Sequence, residues 1–110
     1  MSVTLSIPAI VSAEVEDRVN ELGQRAEFEQ LLDKARQLIP GLFELRVGLV
    51  LDYDEGGDPG IMIIGLVDVR IGLDNPGLGN WRRWKIDSFP TEVWRHYSFW
   101  TTPVEVGHAR

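Results

Sequence analysis

Few residues of this chain could move a proton or hold a metal. There are two histidines, His96 and His108. His96 follows Glu92 by four residues, a spacing that puts both on one face of a helix and gives them the parts of an acid–base pair. A general base also needs a nucleophile or water to act on and a partner to orient it. No elbow or triad motif around Ser88 or Thr91 supplies either, so the pair reads first as a helix-surface contact. Asp52, Asp54 and Asp58 sit in and beside the turn DEGGDPG, where their oxygens suit a hard cation. The glycine, the third acid and the closing Glu are out of register with a calcium loop, and Asp, Gly and Pro are also what a turn requires. The absence of cysteine excludes disulfides, thiolate metal sites and cysteine nucleophiles. Gly56, Gly57 and Gly60, like Gly72, Gly77 and Gly79, form neither GxGxxG at a helix start nor a phosphate loop. The sequence therefore offers no catalytic residue, metal site or cofactor. The alternative reading is a small enzyme or hydrolase subunit using His96 with Glu92, or the Asp52/Asp54/Asp58 loop.

The other concentration of chemistry is aromatic and basic. All four tryptophans, Trp81, Trp84, Trp94 and Trp100, fall between Asn80 and Trp100, with Phe89, Tyr97 and Phe99 among them. Arg82, Arg83, Lys85 and Arg95 are the basic residues of this segment. Aromatics with arginine are the usual composition of a protein-contact surface. Trp94 and Tyr97 at helical spacing read as core anchors, whereas Trp81 and Trp84, interleaved with charge, are harder to bury together. The expected contact residues are Trp81, Arg82, Arg83, Trp84, Arg95 and Trp100. Stacking on aromatics beside basic groups also suits single-stranded nucleic acid, but the whole chain carries a net charge of −6. Four basic and two acidic residues give the segment 80–100 a local +2, leaving −8 elsewhere. An acidic body disfavours phosphate, and another protein is the better partner.

These residues must be positioned by one domain, 1–110, since this length supports a single core. The apolar fraction of 44% and charged fraction of 25% are ordinary for a folded domain. The longest apolar run, Ile61 to Val67, is far short of a membrane span. The opening MSVTLSIPAIVSA lacks a basic leader and reads as structure rather than a signal peptide. The expected compartment is the cytoplasm of a microbe or virus.

Val3, Leu5 and Ile7 alternate with polar residues, which predicts a short strand ended by Pro8, either at a sheet edge or as an arm pairing with another chain. Ser12 can cap a helix opening with Glu14, Glu16 and Asp17, and the helical pattern runs to Ile39 before Pro40-Gly41. Its phase changes near Gly23: Val15, Val19, Leu22 and Ala26 share one face, while Phe28, Leu31, Leu32 and Ala35 share nearly the opposite one. Either there are two helices, or one helix kinked near Gly23, or one continuous helix packs its second half on its own sheet and its first half on another molecule. Strands are expected over 43–53, alternating in polarity, and 61–71, apolar on both faces as far as Leu66; the two form an antiparallel hairpin. The stretch GLDNPGLGN reads as a loop. WRRWKID is either a strand or a helical turn. A helix capped by Ser88 is expected from Phe89, with Val93, Trp94, Tyr97 and Trp100 on one face. Pro103 ends it, and Val104 with Val106 suits a last short strand.

The order of acidic helix, LFELRVGLVLDY strand, DEGGDPG turn, IMIIGLVDVRI strand and FPTEVW helix resembles small uncharacterised bacterial proteins built as helix, hairpin and helix. Some of those resemble partners of neighbouring genes in toxin–antitoxin-like pairs. The resemblance covers 14–100 by pattern and assigns no functional residue. It implies an α+β fold: an antiparallel sheet centred on the 43–53/61–71 hairpin, a long N-terminal helix on one face and a short C-terminal helix. The function it suggests is a small acidic antitoxin-, adaptor- or inhibitor-like protein that binds a neighbouring gene product. Self-association would run through the N-terminal strand or the first face of the long helix.

Overall fold

The computed structural model describes residues 7–50, 60–71 and 76–104. The Val3–Leu5 alternation, the Asp52/Asp54/Asp58 turn, Val106 and His108 lie outside them. The fold is α+β, with one four-stranded sheet in the order β1-β2-β3-β4. The sheet is mixed rather than antiparallel: β1 (Ala9–Val11) runs parallel to β2 (Leu42–Val50), β2 antiparallel to β3 (Gly60–Asp68), and β3 parallel to β4 (Tyr97–Val104). Each parallel pair needs a crossover. α1 (Ala13–Leu22) and α2 (Arg25–Leu38) make the first, α3 (Pro76–Ser88) and α4 (Thr91–Trp94) the second. The central hairpin thus joins two halves with the same order of elements, although their sequences do not repeat.

The long N-terminal helix is in fact two. Ser12 caps α1, its hydroxyl accepting the Val15 N–H at 3.2 Å. Gly23 ends α1 in the left-handed region at φ 66°, with its N–H on the Asn20 carbonyl and the Gln24 N–H on that of Val19. This pairing closes the last turn and turns the chain, and glycine adopts it without strain. The turn explains the phase change in the sequence. Once the direction changes at Gly23, Val15 and Val19 of α1 enter the same core as Phe28, Leu31, Leu32 and Ala35 of α2. The first face of the expected helix is therefore not a second contact surface: Val15 and Val19 are fully buried. Among the described residues, a strand follows Pro8 and pairs within the chain.

The second half departs further from expectation. Gly77, Gly79 and Asn80, read as loop, are helical, and α3 opens at Pro76, a residue suited to a first helical turn. Ser88 ends α3 rather than capping α4, whose N-cap is Pro90. The C-terminal helix stops at Trp94, and Tyr97 to Val104 is a strand. Residues 69–71, expected as strand, form a single 3-10 turn.

The helices cover one face of the sheet. On that face the register places Val47, Ile63 and Phe99 in one row and Leu49, Ile61 and Tyr97 in the next. The Phe99 ring lies against Gly65, where a Cβ would come within 3.0 Å of it. The helix break contributes a polar contact: Gln24 is buried, and its side-chain oxygen accepts the Tyr97 hydroxyl at 2.9 Å. Burial, then the charge of Glu27, pushes the Tyr97 pKa from 10.0 up to about 12. Between those values the unfolded chain loses the phenolic proton while the folded chain keeps it, so folding stability falls as pH rises from about 10 to 12. Tyr97→Phe is expected to cost about 1–2 kcal/mol at pH 7, by orphaning the Gln24 oxygen. It should also remove an alkaline loss of about 2 kcal/mol. Urea unfolding at pH 7, 10 and 11.5 checks this, because the two proteins' stabilities must converge at the high end.

Candidate functional site

β4 is an edge strand, and side chains of α3 cover two carbonyls of its outer side. The Ile61 N–H donates to the His96 carbonyl, which fixes the alternation of the parallel ladder. Even-numbered residues of β4 turn their backbone groups to β3, and Tyr97, Phe99, Thr101 and Pro103 turn theirs outward. α3 lies beside this edge. Lys85 Nζ donates to the Tyr97 carbonyl at 2.8 Å, and Arg82 Nη2 to the Phe99 carbonyl at 3.4 Å. Residues 82 and 85, one helical turn apart, meet carbonyls two residues apart on the strand. Lys85 is buried, with its ammonium 5.3 Å from the Trp81 and Trp94 ring centroids. Burial, then the Arg82 charge, holds its pKa below the ordinary lysine value. Pro103, which has no N–H, falls on the outward series, where none is needed. At the opposite edge β1 is only three residues long. Short strands, covering cations and proline are the means by which proteins keep sheet edges from pairing with other chains.

The aromatic–basic segment separates into core and surface. Trp81 is core: fully buried, its indole N–H donates to the Leu31 carbonyl at 3.0 Å, and its ring packs edge-on against Phe99 at 4.8 Å. Trp84 is half-buried, packed edge-on against Phe89 with the Lys34 ammonium 5.6 Å from its ring. Both were expected at a partner, and both serve the packing of α3. The helical periodicity that WRRWKID conceals explains this, since Trp81, Trp84 and Lys85 fall on one side of α3 and Arg82, Arg83 and Ile86 are exposed. Trp94 is half-buried, and Arg95 is exposed. Trp100 alone of the four tryptophans is largely exposed, at 55%, with the Arg82 guanidinium 5.5 Å from its ring. A recess of about 220 Å³ beside it is lined by Arg82, Lys85, Ile86, Ser98, Phe99 and Trp100.

Trp100 stands at one end of a row that crosses the whole sheet. Ile10, Arg46, Ile64 and Trp100 are register partners on the face that no described helix covers. Gly48, Met62 and Ser98 make the row on one side of it, and Glu44, Leu66 and Thr102 the row on the other. Ile10 is 57% exposed and Val50 42%, while Met62, Ile64 and Leu66 are half-buried. A shallow apolar recess of about 300 Å³ opens between Ile10, Gly48 and Ile64. The sequence of β3 is apolar on both faces as far as Leu66. The strand is central, but helices cover only one side of it. The run IMIIGL was therefore the available signal for a second apolar surface. Among the described residues, Arg46 of this face pairs with Glu44 at 2.5 Å, and Arg70 with Asp68 at 2.5 Å.

The expected acid–base pair is not assembled on a helix. α4 ends before His96, Glu92 is exposed, and the half-buried His96 lies just before β4, its carbonyl accepting the Ile61 N–H. Among the described residues, no three His, Asp or Glu side chains gather as a cation site. No described helix is long and apolar enough to cross a membrane. No protein-family model matches the chain, and no curated protein or solved structure matches it.

Proposed function

We propose that this chain is a small acidic protein-binding protein, antitoxin-, adaptor- or inhibitor-like, acting without catalysis on another protein such as a neighbouring gene product. Its contact surface is the uncovered sheet face with the Trp100–Arg82 corner; Arg83 and Arg95 are also exposed. The observation that carries this reading is Trp100: a tryptophan more than half exposed, with an arginine over its ring, closing a row across four strands that is apolar except for Arg46. Exposed apolar patches of this kind, rimmed by polar groups, mark sites where proteins meet. Tryptophan and arginine are also the residues that most often dominate such contacts.

Trp100→Glu should leave the melting temperature within about 2 °C of wild type, because its side chain contributes little to the core. It should also weaken partner binding about 30-fold or more, equivalent to about 2 kcal/mol. Immobilised wild-type and Trp100→Glu proteins exposed to native-host extract, with bound proteins quantified by mass spectrometry, test this. A protein retained by both to the same extent, with nothing lost from the variant, would refute the reading.

A further inference from the structure

We infer that the recess between α3 and β4 is an anion site, which the partner protein fills with the carboxylate of an acidic side chain borne next to an apolar residue. This deepens the reading above and rests on it for the source of the ligand. The recess, of about 220 Å³, is lined by Arg82, Lys85, Ile86, Ser98, Phe99 and Trp100, and so lies at the corner of the proposed contact surface. It is smaller than the pockets that hold cofactors and drug-sized molecules, which run from about 300 to 1,000 Å³. One inserted side chain suits it better than a nucleotide does.

Two cations without a carboxylate set the chemistry of the recess. Arg18, Arg25, Arg36, Arg46 and Arg70 each pair with a carboxylate. Among the described residues Arg82 and Lys85 pair with none, and donate instead to the Phe99 and Tyr97 carbonyls. Asp87, the acid of their own helix, is exposed and pairs with neither. Lys85 is 8% exposed. An ammonium so buried and held by neutral groups is costly, and an anion alongside offsets that cost. The two charges also oppose each other, since the Arg82 charge, after burial, lowers the Lys85 pKa. A carboxylate meeting both relieves that opposition. In a chain of net charge −6, two adjacent cations left without a carboxylate point to one supplied from outside.

The rest of the lining narrows the ligand. The Arg82 guanidinium lies over the Trp100 ring, 5.5 Å from its centroid, which restricts where that planar donor group sits. Its 3.4 Å contact with the Phe99 carbonyl uses one nitrogen and leaves others for a carboxylate, which a guanidinium grips through two parallel hydrogen bonds. Ile86 and Trp100, 51% and 55% exposed, are apolar walls beside this charge. They match a carboxylate attached to an apolar body rather than a bare inorganic anion. The exposed Ser98 hydroxyl adds a further donor. Because the Tyr97 and Phe99 carbonyls are already bonded, the ligand enters as a side chain rather than as a strand added to β4.

A small acid stands in for the partner's side chain in the test. The isotope-labelled full chain is titrated with 3-phenylpropanoate to about 20 mM at constant ionic strength and followed by proton–nitrogen correlation spectra. The Arg82 Nε–H, the Trp100 indole N–H and the Ser98 and Phe99 amides should shift together, with a Kd of about 1–5 mM, what a ligand of this size attains. Neutral 3-phenylpropanamide and inorganic phosphate should each bind about 10-fold more weakly or worse. Arg82→Gln should weaken the acid about 10-fold while the buried Trp81 indole keeps its wild-type shift. No shift at the highest concentration, equal binding of acid and amide, or an Arg82→Gln protein that binds as wild type does would overturn the site. Capture from native-host extract tests the source. Arg82→Gln should lose the protein that Trp100→Glu loses, and the acid, but not the amide, should displace it from wild type. If Arg82→Gln and the acid leave that protein bound, the partner's carboxylate fails and the protein-binding reading stands. If Trp100→Glu loses nothing, the reading falls and takes the partner's carboxylate with it, whatever the titration shows.

Discussion

Trp81→Ala is expected to lower folding stability by about 3–5 kcal/mol, a third or more of what a domain of this size ordinarily has. The indole is fully buried where α2, α3 and β4 meet, and its removal opens a cavity against Phe99. It also deprives the Leu31 carbonyl of its 3.0 Å side-chain donor and the Lys85 ammonium of one of its two ring neighbours. Trp81→Phe keeps most of the apolar volume and should cost about 1–3 kcal/mol, mainly through the lost indole donor and the smaller ring. Trp100→Ala should stay within about 0.5 kcal/mol of wild type. Urea unfolding followed by far-UV circular dichroism separates the three. A Trp81→Ala protein within 1 kcal/mol of wild type would mean that α3 is not seated as described.

The second large effect is at Gly77. This glycine lies in the first turn of α3, buried against the end of α2. A Cβ there would collide with the Leu38 carbonyl oxygen and approach the Pro40 ring to 2.9 Å and the Ile39 Cα at 3.0 Å. Two of these neighbours are backbone and the third is a proline ring, so none can rotate aside. Gly77→Ala is expected to cost about 2–3 kcal/mol, the range for an overpacked site that must shift its backbone. Gly79, two residues on in the same helix, has nothing within 4 Å of its Cβ position. Gly79→Ala should stabilise the protein by about 0.5–1 kcal/mol, since alanine restricts the unfolded chain and favours helix. Opposite signs at two glycines of one turn are a sharp test. Equal effects would show that α3 and α2 do not approach as closely as described.

The same two glycines show why α3 was illegible in the sequence. Gly, Asn and Pro are punctuation when read locally, so GLDNPGLGN reads as loop. Gly77 is there for a close approach between helices, which only tertiary structure reveals. The strand β4 was misread for a related reason. Phe89, Val93, Trp94, Tyr97 and Trp100 fit a helical stripe, but Tyr97–Phe99 against Ser98–Trp100 also fits a period of two; aromatic and β-branched residues favour the strand, and Pro103 bars a helix. The parallel pairing of β3 with β4, and the edge carbonyls covered by Arg82 and Lys85, follow from that strand and could not be seen without it.

By contrast, the antiparallel pairing of β2 with β3 was legible from the alternation of β2 and the apolar run of β3. The break near Gly23 was visible as a phase change, although its consequence was not. It returns both helices to one core and buries Gln24 beneath Tyr97. Of the expected contact residues, Arg82, Arg83, Arg95 and Trp100 are on the surface, Trp84 is half-buried and Trp81 is core. Composition alone could not sort them, because tryptophan suits a core and an interface equally well. The apolar open face was written in IMIIGL, where residues of both parities are apolar, but a sequence does not say how many faces of a sheet its helices cover.

Side-chain footprinting tests the uncovered face most directly, whatever covers it. Hydroxyl radicals oxidise exposed Met and Trp, and Met62, Trp84 and Trp100 report on separate places: the centre of the open face, the packing of α3, and the corner of the row. Oxidation should be compared between dilute purified protein and the same protein in concentrated native-host extract, each normalised to an added free-amino-acid probe. The account predicts that Met62 and Trp100 become protected in the extract while Trp84 is unchanged. Met62 and Trp100 reacting equally in both, or protection falling on Trp84 alone, would contradict it.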